Sequence, residues 1–173
     1  MIFIVTLGQS RQSVCFKRIW APHPMLSRSA VPSGCSHLLT IKTAKAGPVF
    51  SKNNFLWIEE QLRRAQEQGI LVIGMEHHLL LPHVSSLFTG GACVGDREAV
   101  ASRLADAGLR YMVAGHSHIQ HTKRFVSKKG NALTEINVGS LCGYPGPICE
   151  ITVQPDQTLF YEVRHLASFR LGG

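Results

Sequence analysis

Two stretches of this sequence show the same order: an amphipathic helix, a short apolar strand and a tip that contains histidine. In the first stretch, apolar residues three and four apart predict a helix over 51–69, and the apolar run 70–75 predicts a buried strand that ends at His77-His78. In the second, a helix over 96–108 precedes a strand over 110–114, which ends at Gly115-His116-Ser117-His118. Repeated units of this kind are typical of an α/β sheet, in which ligands bind beyond the carboxyl ends of the strands.

The rest of the chain divides into an N-terminal segment and a β-rich C-terminal third. Residues 1–48 are basic and rich in proline and serine, and they contain no recognisable motif. We expect residues 49–170 to form a C-terminal part that carries the motifs and continues after the second unit with strands predicted over 132–138, 148–153 and 158–164. The pair Pro155-Asp156 predicts the turn of the last hairpin.

The charge distribution limits the classes of partner. Net charge is +7, and residues 1–58 contain seven basic side chains and no carboxylate. These basic residues are scattered without interleaved aromatic residues, which argues against nucleic-acid binding. No apolar run approaches the roughly 18 residues that a membrane span needs. The five cysteines include no Cys-x-x-Cys pair, so we expect a cytoplasmic protein with free thiols and no membrane association.

The histidines at the two strand ends are candidate metal ligands. We expect His77, His116 and His118 to meet at one edge of the sheet, where neutral imidazoles can bind zinc, iron or manganese. The alternative is that they are ordinary polar loop residues. Gly143 and Tyr144, in a later glycine-rich loop, are candidates to shape a substrate pocket, and the alternative for them is a turn with a packed aromatic ring.

Several other polar residues are interpreted as structural. Asp96 is the predicted side-chain cap of the second helix, and Glu76 is expected to point away from the His77 face, in a supporting or surface position. His83 and His121 are interpreted as surface histidines, and the alternative is that they support the site or contact a substrate. A charged hairpin facing solvent is the interpretation of a group of basic residues, namely Lys123, Arg124, Lys128 and Lys129, and the alternative is that they attract a phosphate.

The histidine motifs resemble those of the calcineurin-like metallophosphoesterases. Gly115-His116-Ser117-His118 matches that family's Gly-His-Ser-His, and Met75-Glu76-His77-His78-Leu79 is similar to its His-His-Pro strand end, with leucine in place of proline. The segment 54–62 resembles the family's Trp-Leu-Glu-Glu-Gln-Leu helix, and 139–145 resembles the segment bordering the substrate pocket. The motifs occur in the family's order, and the resemblance covers roughly residues 49–166.

The resemblance implies an α/β fold that is part of a four-layer αββα sandwich with mixed sheets. It also implies a hydrolase of phosphate mono- or diesters that uses two divalent metal ions, Mn, Fe or Zn. By carry-over, His77 and His116 would bind one ion and His118 the other, and His78 would lie beside the site without ligating.

The sequence departs from the family in its earlier half. The Asp-x-His, Gly-Asp and Gly-Asn-His motifs are missing, so no catalytic residue can be assigned. Three imidazoles neither neutralise nor bridge two cations, and we therefore expect at most one weakly held metal and impaired hydrolysis. The alternative is a non-catalytic, truncated remnant that acts by protein association, either with itself or with a partner chain, through an uncovered sheet edge.

Overall fold

The computed structural model describes residues 3–7, 37–40, 52–85, 93–143 and 146–165. These form two helices and eight strands: β1 (Phe3–Leu7), β2 (His37–Thr40), α1 (Lys52–Glu67), β3 (Val72–Met75), α2 (Arg97–Asp106), β4 (Tyr111–Ala114), β5 (His121–Val126), β6 (Ala132–Asn137), β7 (Pro147–Val153) and β8 (Leu159–His165). The predicted mixed α/β class is confirmed.

The strands form two mixed sheets. One has five strands in the order β2-β3-β4-β6-β5, in which β2, β3, β4 and β6 are parallel and β5 runs antiparallel to β6. The other has three strands in the order β1-β7-β8, with β1 parallel and β8 antiparallel to β7. The parallel strands β3 and β4 end at the same edge, which is where the two histidine tips begin.

The helices cover one face of the five-stranded sheet. Apolar residues of α1 and α2 pack with Met112 of β4 and Leu133 of β6 in one buried cluster. Phe55, Ile58 and Leu62 are buried along α1, as their spacing predicts. The two helices are also joined by Arg103, whose guanidinium pairs with Glu59 and lies 4.4 Å from the centroid of the Phe55 ring.

The three-stranded sheet packs on the opposite face. Ile73, Val113 and Ile136 of the large sheet form a second buried cluster with residues of β7, namely Cys149, Ile151 and Val153. The result is three layers: helices, five-stranded sheet and three-stranded sheet. On the outer face of the small sheet, Phe160 is exposed, and no helix covers that face within the part of the chain that the structure describes.

Both helices end as predicted, but the second one begins differently. Gly69 and Gly108 adopt positive φ angles of 66° and 97° directly after the helices. Asp96 lies at the start of α2 with φ 49°, and its side chain makes no capping hydrogen bond. Asp96 therefore marks the helix start without the side-chain cap that its residue type predicted, because its left-handed backbone is not the extended one that capping requires.

Gly139 lies where two segments approach closely, and its replacement is expected to be destabilising. A Cβ atom there would lie 2.6 Å from Cγ of Pro147, in a rigid ring that begins β7. We expect Gly139→Ala to lower the free energy of unfolding by about 1–3 kcal/mol in urea denaturation, which is the usual range for overpacking. Gly143→Ala is the matched control, because its nearest neighbours would lie at 3.7 Å. Equal stability of the two variants would contradict the close approach.

Candidate metal centre

Three histidine rings meet beyond the ends of β3 and β4. Nε2 of His77 and Nδ1 of His116 are 2.9 Å apart, and their ring centroids are separated by 4.8 Å. The His78 ring lies 4.6 Å from that of His116. We call His77, His78 and His116 the histidine group. Proximity of His77 and His116 was predicted from the strand order, and the register between Met75 and Val113 accounts for it.

The backbone fixes the shape of both tips. The Glu76 N–H donates to the Val113 carbonyl, and the Gly115 N–H donates to the His77 carbonyl, so the two tips remain hydrogen-bonded past the sheet. His116 and His118 both have positive φ angles, 65° and 59°, whereas Gly115 does not. The left-handed backbone conformation therefore falls on the two histidines and not on the glycine that precedes them. Such strained conformations persist only where surrounding contacts determine them.

Asn137 supplies part of that support. Its side-chain amide donates to the Ser117 hydroxyl and to the Ile119 carbonyl, the latter at 2.6 Å. Asn137 is itself fully buried at the end of β6, beside Ala114 in the parallel register. The second histidine tip is thus attached to the neighbouring strand.

His118 does not join the histidine group by contact. Among the described residues, no ring contact or hydrogen bond joins it to His77 or His116. Its charge nevertheless lies close enough to contribute to the depression of the His77 pKa. The metal-ligand assignment of His77, His116 and His118 thus remains a prediction, with two of the three rings adjacent.

Burial favours the neutral forms of His77 and His78. It lowers the pKa of His77, and repulsion by His116 and His118 lowers it further. The pKa of His78 is lowered first by burial and then by His116 and His77. Metals bind only the unprotonated imidazole, so this environment favours metal binding over protonation.

NMR can measure this effect in the metal-free protein. We expect the ring Cε1–H signals of His77 and His78 to titrate below the ordinary histidine pKa of about 6.5. In His116→Ala, the pKa of His77 should rise toward that value, because one repelling ring is lost while burial remains. His165→Ala is the control.

His77 and His78 bind protons more readily in the unfolded chain than in the folded protein. The free energy of unfolding should therefore fall as pH drops below about 6.5. An unchanged His77 titration in His116→Ala would contradict this explanation.

The described residues do not fit a centre of two metal ions. Within residues 52–85, 93–143 and 146–165, no group of three or more His, Cys, Asp or Glu side chains is arranged to hold a metal ion. The carboxylate adjacent in sequence, Glu76, is 2% exposed, and its Oε1 accepts a hydrogen bond from the His78 backbone N–H at 3.4 Å. Two cations need anionic oxygens that bridge them, and no carboxylate is grouped with both His77 and His116 among the described residues.

Two predictions about the surroundings of the site are corrected. His83, interpreted as a surface residue, has a fully buried side chain. Burial of its ring is possible because Nε2 lies 3.0 Å from Oε2 of Glu135 and is hydrogen-bonded to it. Lys123, expected to face solvent, is half-buried and donates to the Pro82 carbonyl from β5. His121 is exposed as expected, although its Nδ1 lies 3.0 Å from Nδ1 of His83.

Glu135 is the residue of this region that the sequence did not identify. It is fully buried on β6 and accepts hydrogen bonds from the backbone N–H groups of Leu80 and Leu81 at 2.7 and 2.6 Å. A single acidic residue among strand-forming neighbours gives no signal of burial. A strand in which polar residues alternate with apolar ones normally predicts a solvated face.

The remaining candidates are less informative. Gly143 is exposed in a turn, where its N–H donates to the Ser140 carbonyl at 3.2 Å. Tyr144 lies outside the described residues. A groove of about 640 Å³ runs between α1 and α2, lined by side chains that include Glu59, Arg63 and Asp106, and it contains none of the predicted site residues. None of the described helices has the length and hydrophobicity to cross a membrane.

Comparison with known proteins gives partial structural similarity only. No protein-family model and no curated protein matches this sequence. The crystal structure of a dimetal phosphatase from Danio rerio is similar to part of the chain, with 19% sequence identity and a TM-score of 0.45. The similarity covers 68% of this chain and 32% of the phosphatase, so the chain spans about a third of that protein. The functional assignment therefore depends on the residues of the chain itself.

Proposed function

We propose that His77 and His116, together with His118, bind one divalent cation and that the protein is a metal-dependent hydrolase of phosphate mono- or diesters, impaired in this chain. The observation that carries the proposal is the distance of 2.9 Å between Nε2 of His77 and Nδ1 of His116. The order of the sequence motifs supports it, because both rings follow buried strands in the positions that the metallophosphoesterase resemblance predicts.

The chain's own residues would share the work as follows. His77 and His116 would hold the ion through their neutral ring nitrogens, with His118 available from the same loop as His116. His78, packed against His116, would keep that ring in place. A bound divalent cation supplies Lewis acidity toward a phosphoryl oxygen and lowers the pKa of a bound water.

Impairment follows from the missing oxygen ligands. Residues 1–58 contain no Asp or Glu, and Glu76 is buried. The absence of a clustered carboxylate among the described residues favours the second candidate function, a non-catalytic remnant that acts by association. Association with itself or with a partner chain could use the edge of β8, where no further strand is paired among the described residues.

Metal binding and hydrolysis can be tested together. We expect purified wild-type protein to bind about one Mn²⁺ or Zn²⁺, and His116→Ala and His118→Ala to weaken binding by at least about tenfold, since loss of a supporting residue alone has that effect. His37→Ala is the control. His37 pairs with Val72 at the opposite end of the parallel strands. Hydrolysis of an aryl phosphate diester in added Mn²⁺ is measured on the same samples.

The outcomes separate the two candidate functions. Bound metal and turnover that both mutations abolish would establish an enzyme that obtains its carboxylates elsewhere, for example from a partner chain. Bound metal with weak turnover that both mutations reduce would support the impaired hydrolase, whereas bound metal without turnover would support the metal site and contradict the hydrolase. Metal-free, inactive wild-type protein would contradict the proposal and leave association as the remaining function.

A further inference from the structure

Glu135 lies in an environment that a carboxylate enters only when it is fully hydrogen-bonded. Its side chain is completely buried in the five-stranded sheet. Oε1 accepts the Leu80 N–H at 2.7 Å, and Oε2 accepts the Leu81 N–H at 2.6 Å and the His83 ring at 3.0 Å. A buried charge is tolerated where such donors replace water. All three donors belong to one short loop.

That loop is the continuation of the first histidine tip. Residues 79–83, which we call the clamp loop, begin one residue after His78. Leu79 and Leu80 are both fully buried, and the Leu79 carbonyl accepts the Val94 N–H at 2.8 Å. His77 and Leu80 are only three residues apart, so they are at most about 10 Å from each other.

Lys123 holds the same loop from the neighbouring strand. It lies opposite Glu135 in the antiparallel register of β5 and β6, and its ammonium donates to the Pro82 carbonyl. The clamp loop is therefore attached through successive residues to two oppositely charged side chains. The N–H groups of the loop donate to the Glu135 carboxylate, and a carbonyl of the same loop accepts from the Lys123 ammonium.

The hydrogen bonds from Glu135 also reach the second histidine tip. Nδ1 of His83 lies 3.0 Å from Nδ1 of His121, and His121 follows His118 by three residues at the start of β5. One of these two nitrogens must carry the proton for the contact to be attractive. Glu135, His83 and His121 thus connect the loop after His77-His78 with the strand after His116-Ser117-His118.

We infer that Glu135 is a positioning residue, which holds His77 and His116 in their mutual geometry through the clamp loop and His83. It does not itself touch the histidine group. The part of the inference that concerns metal affinity rests on the proposed function. The part that concerns the geometry of the two rings does not.

The test compares Glu135→Gln with Ile136→Ala in the full chain. Ile136 is the next residue of β6 and is equally buried. It packs on the opposite face of the sheet, in a cluster that contains no residue of the clamp loop. Three quantities are measured: the hydrogen-exchange rates of the Leu80 and Leu81 amides, the nuclear Overhauser effect between the His77 and His116 rings, and the Kd for Zn²⁺. In Glu135→Gln we expect the two amides to exchange at least about tenfold faster relative to other core amides, the ring contact to weaken, and the Kd to rise about 10–100-fold.

A second pair of variants keeps the inference testable if Glu135→Gln does not fold. His83→Gln retains a side-chain N–H that can reach Glu135, and it should preserve the ring contact and the slow exchange. His83→Leu has no donor, and it should lose both.

The outcomes distinguish the inference from the proposed function. Unchanged exchange and ring contact in Glu135→Gln, or the same changes in Ile136→Ala, would overturn the positioning role. Absence of Zn²⁺ binding by the wild-type protein would overturn the proposed function, while the exchange and ring-contact measurements would still decide whether Glu135 positions the two histidines.

Discussion

Leu104→Ala is expected to lower the free energy of unfolding by about 2–5 kcal/mol, the range for truncation of a fully buried leucine. Leu104 is 0% exposed on α2, in the cluster that joins both helices to β4 and β6. The alanine would leave a cavity between three elements, and the rigid sheet on one side limits how far the helices can collapse into it. Urea denaturation followed by circular dichroism measures the change.

Leu56→Ala serves as the control. Leu56 is a leucine on α1 with 53% of its surface exposed, so its loss should change stability by less than about 0.5 kcal/mol. Leu104→Ala with the stability of Leu56→Ala would show that α2 does not pack on the sheet in solution.

Glu135→Ala is expected to cost about 3–5 kcal/mol, since removing one partner of a buried charged network leaves the others without compensation. The Leu80 and Leu81 N–H groups and the buried His83 ring would each lose their acceptor. Each buried donor without an acceptor lowers stability by about the free energy of hydration that it lost on folding. The deleted side chain also leaves a cavity.

Glu150→Ala provides the comparison for a carboxylate in an exposed pair. Glu150 bonds at 2.9 Å to Arg164, whose side chain is mostly exposed, and exposed pairs contribute about 0–1 kcal/mol. Equal effects of the two glutamate substitutions would contradict the fully hydrogen-bonded burial of Glu135. Both are measured by the same urea titration at neutral pH.

The regular elements were predictable because each has a strong local signal. Apolar residues three and four apart with a following glycine identified both helices, and the terminal hairpin was indicated by Pro155-Asp156. Its turn is closed by the Gln154 N–H, which donates to the Thr158 carbonyl at 2.8 Å. The basic residues of β5 do lie in a hairpin, because β5 pairs antiparallel with β6, but Lys123 is half-buried where a solvent-facing position was expected.

The candidate site was predictable only in part. Strand order placed His77 near His116, because parallel strands end at one edge. The sequence could not reveal that His83 is buried, since its partner Glu135 lies 52 residues away and neither residue has a periodic pattern around it. Hydrogen bonds between distant segments depend on tertiary packing, which local propensity does not encode.

The pairing of β1 with β7 has a consequence for the order of assembly during synthesis. Phe3 pairs with Cys149, so nearly the whole chain separates two neighbouring strands. All strands of the five-stranded sheet lie between His37 and Asn137, and that sheet can close while the final segment is still in the ribosome. Until β7 has been synthesised and has left the ribosome, the apolar face formed by Ile73, Val113 and Ile136 is exposed to solvent. During the same interval β1 has no partner strand to pair with. We expect aggregation to be most favourable in this interval, because long-range pairing is slow and exposed apolar strands aggregate.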